Sequence, residues 1–435
     1  MKRVLIVSPH FPPINAPDCQ RARMSLPYYR RFGWEPEVLA VAPDHRPDWR
    51  DDSLLASLPR DVSVHYCGAL PLRLTRLVGI QNLGIRSAPF VNRAALHLLL
   101  TRPFDLVFFS TTQYMVTPLS LLWRRRCRVP YVIDLQDPWR SDYYQHPGAP
   151  RPPGGWKYQF ARLMAWMFEE RTFGGAAGFV SVSPRYLEEL SARYPWFRSR
   201  PQTVIPFGGP SADFAFLHAQ PRRPGPWTGD GLRHWVAAGS LGPSFSHSLR
   251  VLLSGLRRLR ETDPASAARL RFHFVGTSYA PGSRARESAR PIAADYGVAD
   301  LVAERPHRTG YLDSLRLMEA ADGLLLLGSD DPGYSPSKLY PYFMAGRPVL
   351  ALAHHESVLA EIVTRLRCAT LVTLLTPGRL AEPPREVAAF LGRAAGPSGP
   401  PPDERDEVGF ERDFTAEASA RRQCGFFDSI VNAEA

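Results

Sequence analysis

Short aliphatic runs recur along the whole chain, separated by segments long enough to form helices. Strands that are buried on both faces read as near-continuous apolar runs, and connecting helices then cover a parallel sheet on both sides. The pattern predicts seven strands in the first half, at Val4–Val7, Val38–Val41, Val62–Tyr66, Leu106–Phe109, Tyr131–Leu135, Phe179–Ser183 and Thr203–Ile205.

The alternation restarts after a stretch rich in Pro and Gly at 221–231. It predicts six further strands, at Trp235–Ala238, Phe272–Val275, Leu301–Ala303, Gly323–Leu327, Val349–Leu352 and Leu371–Leu374. Because 435 residues exceed one ordinary core, we expect an α/β protein of two Rossmann-like, doubly wound domains that face each other across a cleft. Ligands of such sheets bind at the carboxyl ends of the strands.

The domain boundaries follow from this alternation. We expect an N-terminal domain at 1–207, a linker at 208–231, a second domain at 232–405 and a C-terminal helical segment at 406–435 that returns to the first domain. A helix over 410–431 would use Phe414, Ala418, Arg421, Phe426 and Phe427 for packing. The segments richest in proline, 146–154, 221–226 and 383–402, are candidate loops.

The chain is strongly basic, with a formal charge of +11. Basic surfaces collect phosphates of any kind, but the arginines are dispersed and no nucleic-acid module accompanies them, so nucleic acid is not an expected partner. Basic and apolar residues alternate over Arg73–Arg102 and Trp123–Arg128. This favours the hypothesis of a peripheral contact with anionic lipid, although arginines that cover apolar neighbours would give the same pattern.

The sequence shows no run of about 20 apolar residues and no CxxC pair among its five cysteines. These features predict a cytoplasmic protein without a signal peptide, a membrane-spanning helix, a disulfide framework or a bound metal. Any membrane contact would then be peripheral, at the inner face.

A glycine-rich turn, Gly239–Gly242, follows the first strand of the second half and precedes a predicted helix at Leu249–Arg260. Glycine lets a backbone approach an anion closely, and a helix start offers free N–H groups to a pyrophosphate. A tight turn without a ligand explains the motif equally well.

The segment Tyr334–Val349 lies between two predicted strands and carries Ser337 and Lys338. Its Ser-Pro-Ser sequence predicts a helix start that puts Lys338 in the first helical turn. A cation there opposes the helix dipole unless an anion binds nearby, which favours an anion site over a solvated lysine.

Two candidate catalytic residues follow strands of the first half. Asp137 comes after the strand Tyr131–Leu135 and could orient an acceptor or act as a base, or only stabilise the turn before Pro138. His10 comes after the first strand and could bind substrate, or only satisfy a local hydrogen bond.

Several motifs resemble, in order along nearly the whole chain, those of family 4 glycosyltransferases of the GT-B fold. They are VLIVSPHFPP, DLQDPW, SVSPRYLEEL, VIPFGG, AAGSLG, FHFVG and SPSKLYPYFMAGRPVLAL. The resemblance implies transfer of a sugar from a nucleotide-sugar donor, with retention of configuration and without a metal or other cofactor. It also implies that the donor-binding residues are Gly239, Ser240, Gly276, Ser337 and Lys338.

The chain departs from this family at the pair of glutamates that usually accompanies the lysine, one of which binds the donor ribose. Gly333 and Pro341 occupy those positions, and proline offers neither a carboxylate nor an N–H. We therefore expect a glycosyltransferase that acts on an unidentified acceptor, in glycan or cell-envelope polysaccharide synthesis. The alternative is a binding protein for nucleotide sugars or glycans that has the fold without turnover.

Overall fold

The structure is a computed structural model of the chain. It describes residues 1–46, 49–140, 155–221, 225–227, 229–280, 282–331, 333–335, 337–374, 383–397, 399–400 and 404–434. The candidate loop 146–154 lies outside the described residues.

The first sheet has seven parallel strands in the order β3-β2-β1-β4-β5-β6-β7. They are β1 (Lys2–Val7), β2 (Trp34–Val41), β3 (Ser63–Cys67), β4 (Leu106–Ser110), β5 (Tyr131–Leu135), β6 (Gly178–Ser181) and β7 (Gln202–Val204). The helices of this half are α1 (Gln20–Ser25), α2 (Leu72–Thr75), α3 (Leu83–Thr101), α4 (Leu119–Cys127), α5 (Trp156–Gly174) and α6 (Pro184–Arg193).

The second sheet has six parallel strands in the order β10-β9-β8-β11-β12-β13. They are β8 (Arg233–Ala238), β9 (Leu270–Val275), β10 (Val302–Arg305), β11 (Gly323–Leu327), β12 (Val349–His354) and β13 (Thr370–Leu374). The remaining helices are α7 (Ser211–His218), α8 (Ser246–Thr262), α9 (Pro264–Ala268), α10 (Ala289–Asp295), α11 (Tyr311–Ala320), α12 (Leu339–Ala345), α13 (Val358–Leu366), α14 (Pro383–Ala394), α15 (Glu407–Asp413) and α16 (Ala416–Glu434).

All thirteen predicted strands are confirmed, with ends that shift by a few residues. In both sheets the order reverses beside the first strand, β1 or β8, which is the Rossmann-like arrangement. The central strands are enclosed on both faces, as in β11, where every residue of Gly-Leu-Leu-Leu-Leu is buried. This double burial is why the strands could be recognised as unbroken aliphatic runs.

The chain divides into two compact units. The first unit contains 1–208 and 416–435, and the second contains 209–415. The segment 208–231, expected as a linker, includes helix α7, whose Phe214 and Leu217 are buried.

One of the candidate loops is wrong, because 383–394 forms helix α14. The two prolines begin the helix, where the missing N–H of proline does no harm. Beyond them, Val387, Phe390, Leu391 and Ala394 are buried at helical spacing. Val387 packs beside Gly255 of α8, a position where any larger residue would collide with it.

The predicted single helix over 410–431 is also wrong, because it is interrupted at Phe414–Thr415. Gly209 donates its backbone N–H to the carbonyl of Phe414, and Gly209 pairs with Thr415 as an isolated bridge. These contacts take the place of helical hydrogen bonds where the chain leaves the second unit. The break separates α15, in the second unit, from α16, in the first.

Helix α16 completes the core of the first unit. Phe427 is fully buried, with its ring centroid 4.9 Å from that of Phe108 and 5.5 Å from that of Trp34. Gln423 is also buried, and it accepts a hydrogen bond from the hydroxyl of Tyr29 at 2.6 Å. The last helix of the chain therefore covers one face of β1, β2 and β4.

A buried ion pair lies under the carboxyl edge of the first sheet. The Nε of Arg21, on α1, is 2.9 Å from Oδ2 of Asp134 at the end of β5, and both side chains are almost fully enclosed. The same guanidinium donates to the carbonyl of Ile205 at 2.7 Å and to the hydroxyl of Ser419 at 3.3 Å. One cation thus joins α1, β5, the end of β7 and α16.

Replacing Phe427 by Ala should lower the free energy of unfolding by about 3–5 kcal/mol, because it removes a fully buried ring and leaves a cavity against Phe108 and Trp34. Ser429→Ala on the exposed side of the same helix is the matched control and should change stability by less than about 0.5 kcal/mol. Urea unfolding of the full chain measures both. Equal midpoints for the two variants would show that α16 does not belong to this core.

Candidate functional site

The carboxyl ends of β8 and β9 bring three of the predicted donor residues together. Gly239 and Ser240 follow β8, and Gly276 follows β9. The backbone N–H of Gly239 bonds to the carbonyl of Val275 at 2.7 Å, which ties the two turns to each other. Gly239 and Gly276 have φ angles of +98° and +74°, a region that favours glycine.

Lys338 extends across this glycine turn. Its Nζ donates to the carbonyl oxygen of Ser240 at 3.2 Å and lies 5.5 Å from the centre of the Phe245 ring. A Cβ atom at Gly239 would approach the Cε of Lys338 to 2.7 Å. The glycine is therefore required twice, by its own backbone angle and by the lysine stem that lies against it.

The Lys338 ammonium is a half-buried cation, and burial lowers its pKa from 10.5 to about 8. Among the described residues, no carboxylate lies within ion-pair distance of it. Phe245 and the Ser240 carbonyl contribute only partial negative charge. The arrangement leaves a desolvated positive charge beside the glycine turn, which is the pattern of a site for an anion.

The segment that carries Lys338 is anchored from the core side. Tyr342 is buried and its hydroxyl accepts a hydrogen bond from the backbone N–H of Ala238 at 2.8 Å, directly before the glycine turn. Helix α12 begins at Leu339, so Lys338 precedes the helix and does not lie in its first turn as predicted. Pro341 is the third helical residue, one of the few interior positions where proline is tolerated. Ser337 is exposed beside the lysine.

Asp330 is a residue of this edge that the sequence did not single out. It follows β11, its backbone N–H bonds to the carbonyl of Ser244 at 2.8 Å, and burial raises the pKa of its carboxyl to about 6. An Asp after a strand is common in turns, so only the structure distinguishes it. It adds a proton-exchanging group close to neutral pH at the same end of the second sheet.

His10 belongs to a buried polar network at the carboxyl edge of the first sheet. Its Nδ1 lies 3.0 Å from Oδ1 of Asp18. Asp18 also accepts hydrogen bonds from the hydroxyls of Thr111 and Thr112 and from the backbone N–H of Thr112. Gln136 joins the network by donating to the backbone carbonyl of Asp18 at 3.2 Å.

The charge state of Asp18 fixes the orientation of His10. Burial raises the pKa of this carboxyl, but the charge of His10 and the hydrogen bonds from His10, Thr111 and Thr112 outweigh burial and lower it. An ionised Asp18 accepts the Nδ1 proton, so Nε2 is the ring nitrogen that faces away from Asp18. This Nε2 is enclosed and has no hydrogen-bond partner among the described residues.

Asp137 occupies a different environment, because its side chain is exposed and lines a cavity of about 460 Å³ in the first unit. Its backbone carbonyl accepts a hydrogen bond from the buried hydroxyl of Tyr114, whose ring stacks on Trp139 at 5.3 Å. By contrast, Asp134 of the same motif is buried in the ion pair with Arg21. The structure therefore separates the two carboxylates into a supporting residue and an accessible one.

Lining residues of this cavity, which we call the aromatic pocket, come from the ends of two strands and from the chain around α2, α3 and α5. They include Ile80, Ile85, Thr112, Met115, Asp137, Trp139, Arg140, Trp156, Lys157, Phe160, Arg162 and Met164. Most of them were not predicted, because aromatic residues in a helix normally indicate a core.

The described part of the chain contains no cluster of three His, Cys, Asp or Glu side chains suitable for a metal ion. No described helix is long and apolar enough to cross a membrane.

The structure thus brings the predicted residues together as two groups. Gly239, Ser240, Gly276 and Lys338 converge at the edge of the second sheet, with Ser337 adjacent in the chain. His10 and Asp137 lie at the edge of the first sheet, where Asp18 and Gln136 connect their loops.

Comparison with solved structures identifies the fold. The chain is similar to Anabaena HepE in complex with UDP and glucose, with 16% identity, a TM-score of 0.53 and coverage of 100% of this chain and 98% of HepE. It is similar to the E. coli trehalose-6-phosphate protein bound with UDP-2-fluoro glucose, with 13% identity, a TM-score of 0.58 and coverage of 100% and 99%. It also matches the N-terminal domain of Candida albicans trehalose-6-phosphate phosphatase, with 13% identity, a TM-score of 0.56 and coverage of 99% and 97%.

No curated protein matches the chain at a significant level. The model of the glycosyl transferase 4-like domain matches residues 20–208, which is nearly all of the N-terminal domain. The chain therefore has the GT-B fold of two Rossmann-like domains, and residues 20–208 are similar to the glycosyl transferase 4-like domain.

Proposed function

We propose that the chain is a glycosyltransferase that moves a sugar from a nucleotide-sugar donor, bound by the second domain, to an acceptor bound by the first. The observation that carries the proposal is the half-buried Lys338 ammonium at the Gly239–Ser240 turn, without a carboxylate partner among the described residues. A desolvated cation of this kind is costly in the free protein and is compensated by an anionic ligand. The diphosphate of a nucleotide sugar supplies that charge.

The chemistry of the proposal rests on the leaving group. When the bond between the sugar and the diphosphate breaks, negative charge develops on the diphosphate, and a fixed ammonium beside it stabilises that charge. The glycine turn allows the backbone to approach the same group closely. Retention of configuration and independence of metal ions are part of the proposal, because the family resemblance implies them.

On the acceptor side, the proposal assigns Asp137 to positioning of the acceptor hydroxyl, because its carboxylate is exposed in the aromatic pocket. His10 stays a candidate catalytic residue under one condition. Its enclosed Nε2 has to become accessible when substrates bind before it can touch a reacting atom. Asp18 holds the ring ready for this role in the meantime.

UDP sugars are the first donors to test. HepE and the E. coli protein, which share the fold, are described in complex with UDP, glucose or UDP-2-fluoro glucose. Pro341 cannot make the usual ribose contact, so the ribose must be held by other groups or loosely. We accordingly expect weaker discrimination at the ribose than at the diphosphate.

The second candidate function is a binding protein for nucleotide sugars or glycans without turnover. The observation that favours it is the replacement of the family glutamates by Gly333 and Pro341. A coupled assay that measures the release of UDP from UDP-glucose separates the transferase from the binding protein. A transferase releases UDP slowly to water and faster with an acceptor, whereas a binding protein releases none.

The proposal places the enzyme in the cytoplasm, in peripheral contact with anionic lipid at the inner face of the membrane. Between Asp61 and Asp105 the chain has no acidic residue, while it has five arginines. Arg73, Arg76 and Arg93 of this segment are exposed and are attracted to an anionic surface, whereas Arg86 is buried and Arg102 pairs with Glu37. This location agrees with a role in the synthesis of cell-envelope glycans.

Replacing Lys338 by Met should weaken UDP binding by roughly 1.5–3 kcal/mol, since it removes a charge-assisted hydrogen bond and keeps most of the stem. Lys157→Met is the matched control, because it removes an exposed lysine in the first domain and should leave UDP affinity unchanged. Calorimetric titration with UDP decides. Equal affinities of wild type and Lys338→Met would refute the donor site.

The pKa of Lys338 predicts a pH dependence. Burial lowers this pKa to about 8, so the ammonium loses its proton as pH rises from 7 to 9 and UDP affinity should fall over that range. In the free protein the lowered pKa costs stability below pH 8, where the folded lysine is charged, and this cost disappears towards pH 10. Lys338→Met should therefore be slightly more stable than wild type at pH 7, and its UDP affinity should not change between pH 7 and 9.

Asp137→Asn should reduce kcat/KM for the acceptor by about tenfold or more, because a charged acceptor of hydrogen bonds is replaced by a neutral one. Its UDP affinity should stay at the wild-type value, since the residue lies in the other domain. Steady-state kinetics and calorimetry measure the two quantities. Unchanged kinetics would show that Asp137 only supports the turn before Pro138.

A further inference from the structure

Helix α5 exposes several large apolar side chains. Its buried side carries Ala165, Glu169 and Thr172, with Phe173 at its end. Its exposed side carries a stripe of large apolar residues at helical spacing, namely Trp156, Phe160, Leu163, Trp166 and Met167, which are 41–63% exposed. Burial in the first domain does not explain this stripe, because the core takes the smaller and more polar side of the helix.

The buried side of α5 is held by polar contacts. Glu169 is enclosed, and its carboxylate pairs with Arg193 at 2.9 Å and accepts a hydrogen bond from Tyr194 at 3.0 Å. Burying a carboxylate raises its pKa and costs stability, although Arg193 and Tyr194 offset part of that cost. The helix is therefore fixed in this orientation with its apolar stripe outward.

The stripe continues onto neighbouring segments. Leu74, Leu77 and Val78, around the end of α2, are 57–84% exposed. The Trp156 ring packs directly against Gly79, where an added Cβ would collide with it. We call the combined surface, around α2 and the outer side of α5, the apolar face. A contiguous apolar surface of this kind marks a place where something binds.

The charges on the apolar face are mainly positive, although Glu170 near the end of α5 and Asp137 in the pocket are acidic. Arg73, Arg76, Lys157 and Arg162 are exposed on its two segments. No acidic residue occurs in 62–104 or in 155–168. Tryptophan and basic side chains around an apolar stripe are the composition of helices that lie in the interface of an anionic bilayer. The Trp123–Arg128 segment does not share this property, because Trp123 is buried against Phe109.

The aromatic pocket lies between the two segments of the apolar face. Ile80, Trp156, Phe160 and other apolar residues line it together with Asp137 and the cations Arg140, Lys157 and Arg162. A ligand that fits both parts has an apolar chain and an anionic head. The apolar face is thus suited to contact a membrane, and the aromatic pocket beside it is suited to take up an amphiphile from that membrane.

We propose that the apolar face docks on an anionic lipid bilayer and that the aromatic pocket receives its acceptor from that bilayer, as an amphiphile with an anionic head group. The identification of this amphiphile as the sugar acceptor rests on the proposed function. The docking itself does not depend on it, because it follows from the exposed stripe and its charges.

Sedimentation with vesicles tests the docking. Wild type should sediment with vesicles of phosphatidylcholine and phosphatidylglycerol much more than with vesicles of phosphatidylcholine alone, and added salt should weaken the binding. The variant Leu77→Glu/Trp166→Glu places charges on two exposed positions outside the pocket and should lower vesicle affinity more than about tenfold. Val408→Glu, at an equally exposed apolar residue of the second domain, is the matched control and should bind vesicles like wild type.

Calorimetry with decyl phosphate and with decanol, both below micelle formation, tests the pocket. Decyl phosphate should bind at least about tenfold more tightly than decanol, because the cations of the pocket attract its head group. Phe160→Asp should abolish the binding of decyl phosphate while the circular dichroism spectrum stays that of wild type. Equal binding of the two probes, or no binding of either, would overturn the proposal that the pocket binds an anionic amphiphile.

The outcomes separate this inference from the proposed function. Wild-type sedimentation that is negligible, or independent of phosphatidylglycerol, would overturn the docking even when UDP binds normally through Lys338. A stable dimer that Leu77→Glu/Trp166→Glu dissociates, without vesicle binding by the monomer, would show that a second copy covers the apolar face. Loss of UDP binding in Lys338→Met together with normal vesicle binding of that variant would support both proposals independently.

Discussion

The buried Arg21 guanidinium is the contact on which the first domain depends. It neutralises Asp134 at the end of β5 and donates hydrogen bonds to the Ile205 carbonyl and the Ser419 hydroxyl. One guanidinium therefore connects the end of β5, the end of β7 and helix α16. Burial raises the pKa of Asp134, and the charge of Arg21 offsets only part of that rise. Removing the cation would leave a buried carboxylate without its countercharge, which is strongly destabilising. The loops with His10 and Asp137 are built on this fixed edge.

The second domain uses its charge in the opposite way. Lys338 is one of only three lysines in a chain whose other cations are arginines. A guanidinium is broad and planar, whereas an ammonium is a compact point charge on a slender stem. Only such a stem fits over Gly239, where even one added carbon would collide with it. The first domain thus satisfies its buried cation internally, whereas we propose that the second keeps Lys338 for an anionic ligand.

The strands could be predicted because burial on both faces makes each one a continuous apolar run in the sequence, as in Gly323–Leu327. The interruption at Phe414–Thr415 could not, because it results from the pairing of Gly209 with a residue 206 positions later. The glycine turn and Lys338 could be predicted as separate motifs, but their contact is a property of the sheet order. Asp330 looks like any turn residue, and the outward stripe of α5 resembles a core face, since spacing alone does not tell which side of a helix is covered.

The return of α16 to the first domain has a consequence for how the protein is made. Phe427 and Gln423, which close the core over β1, leave the ribosome after the whole of 209–415 has been synthesised. Until then the strand residues beneath them have no cover, while the second domain already has every segment it needs. During synthesis the order of completion is therefore inverted: the domain that begins first is finished last, and its open face is the surface that a chaperone would have to shield.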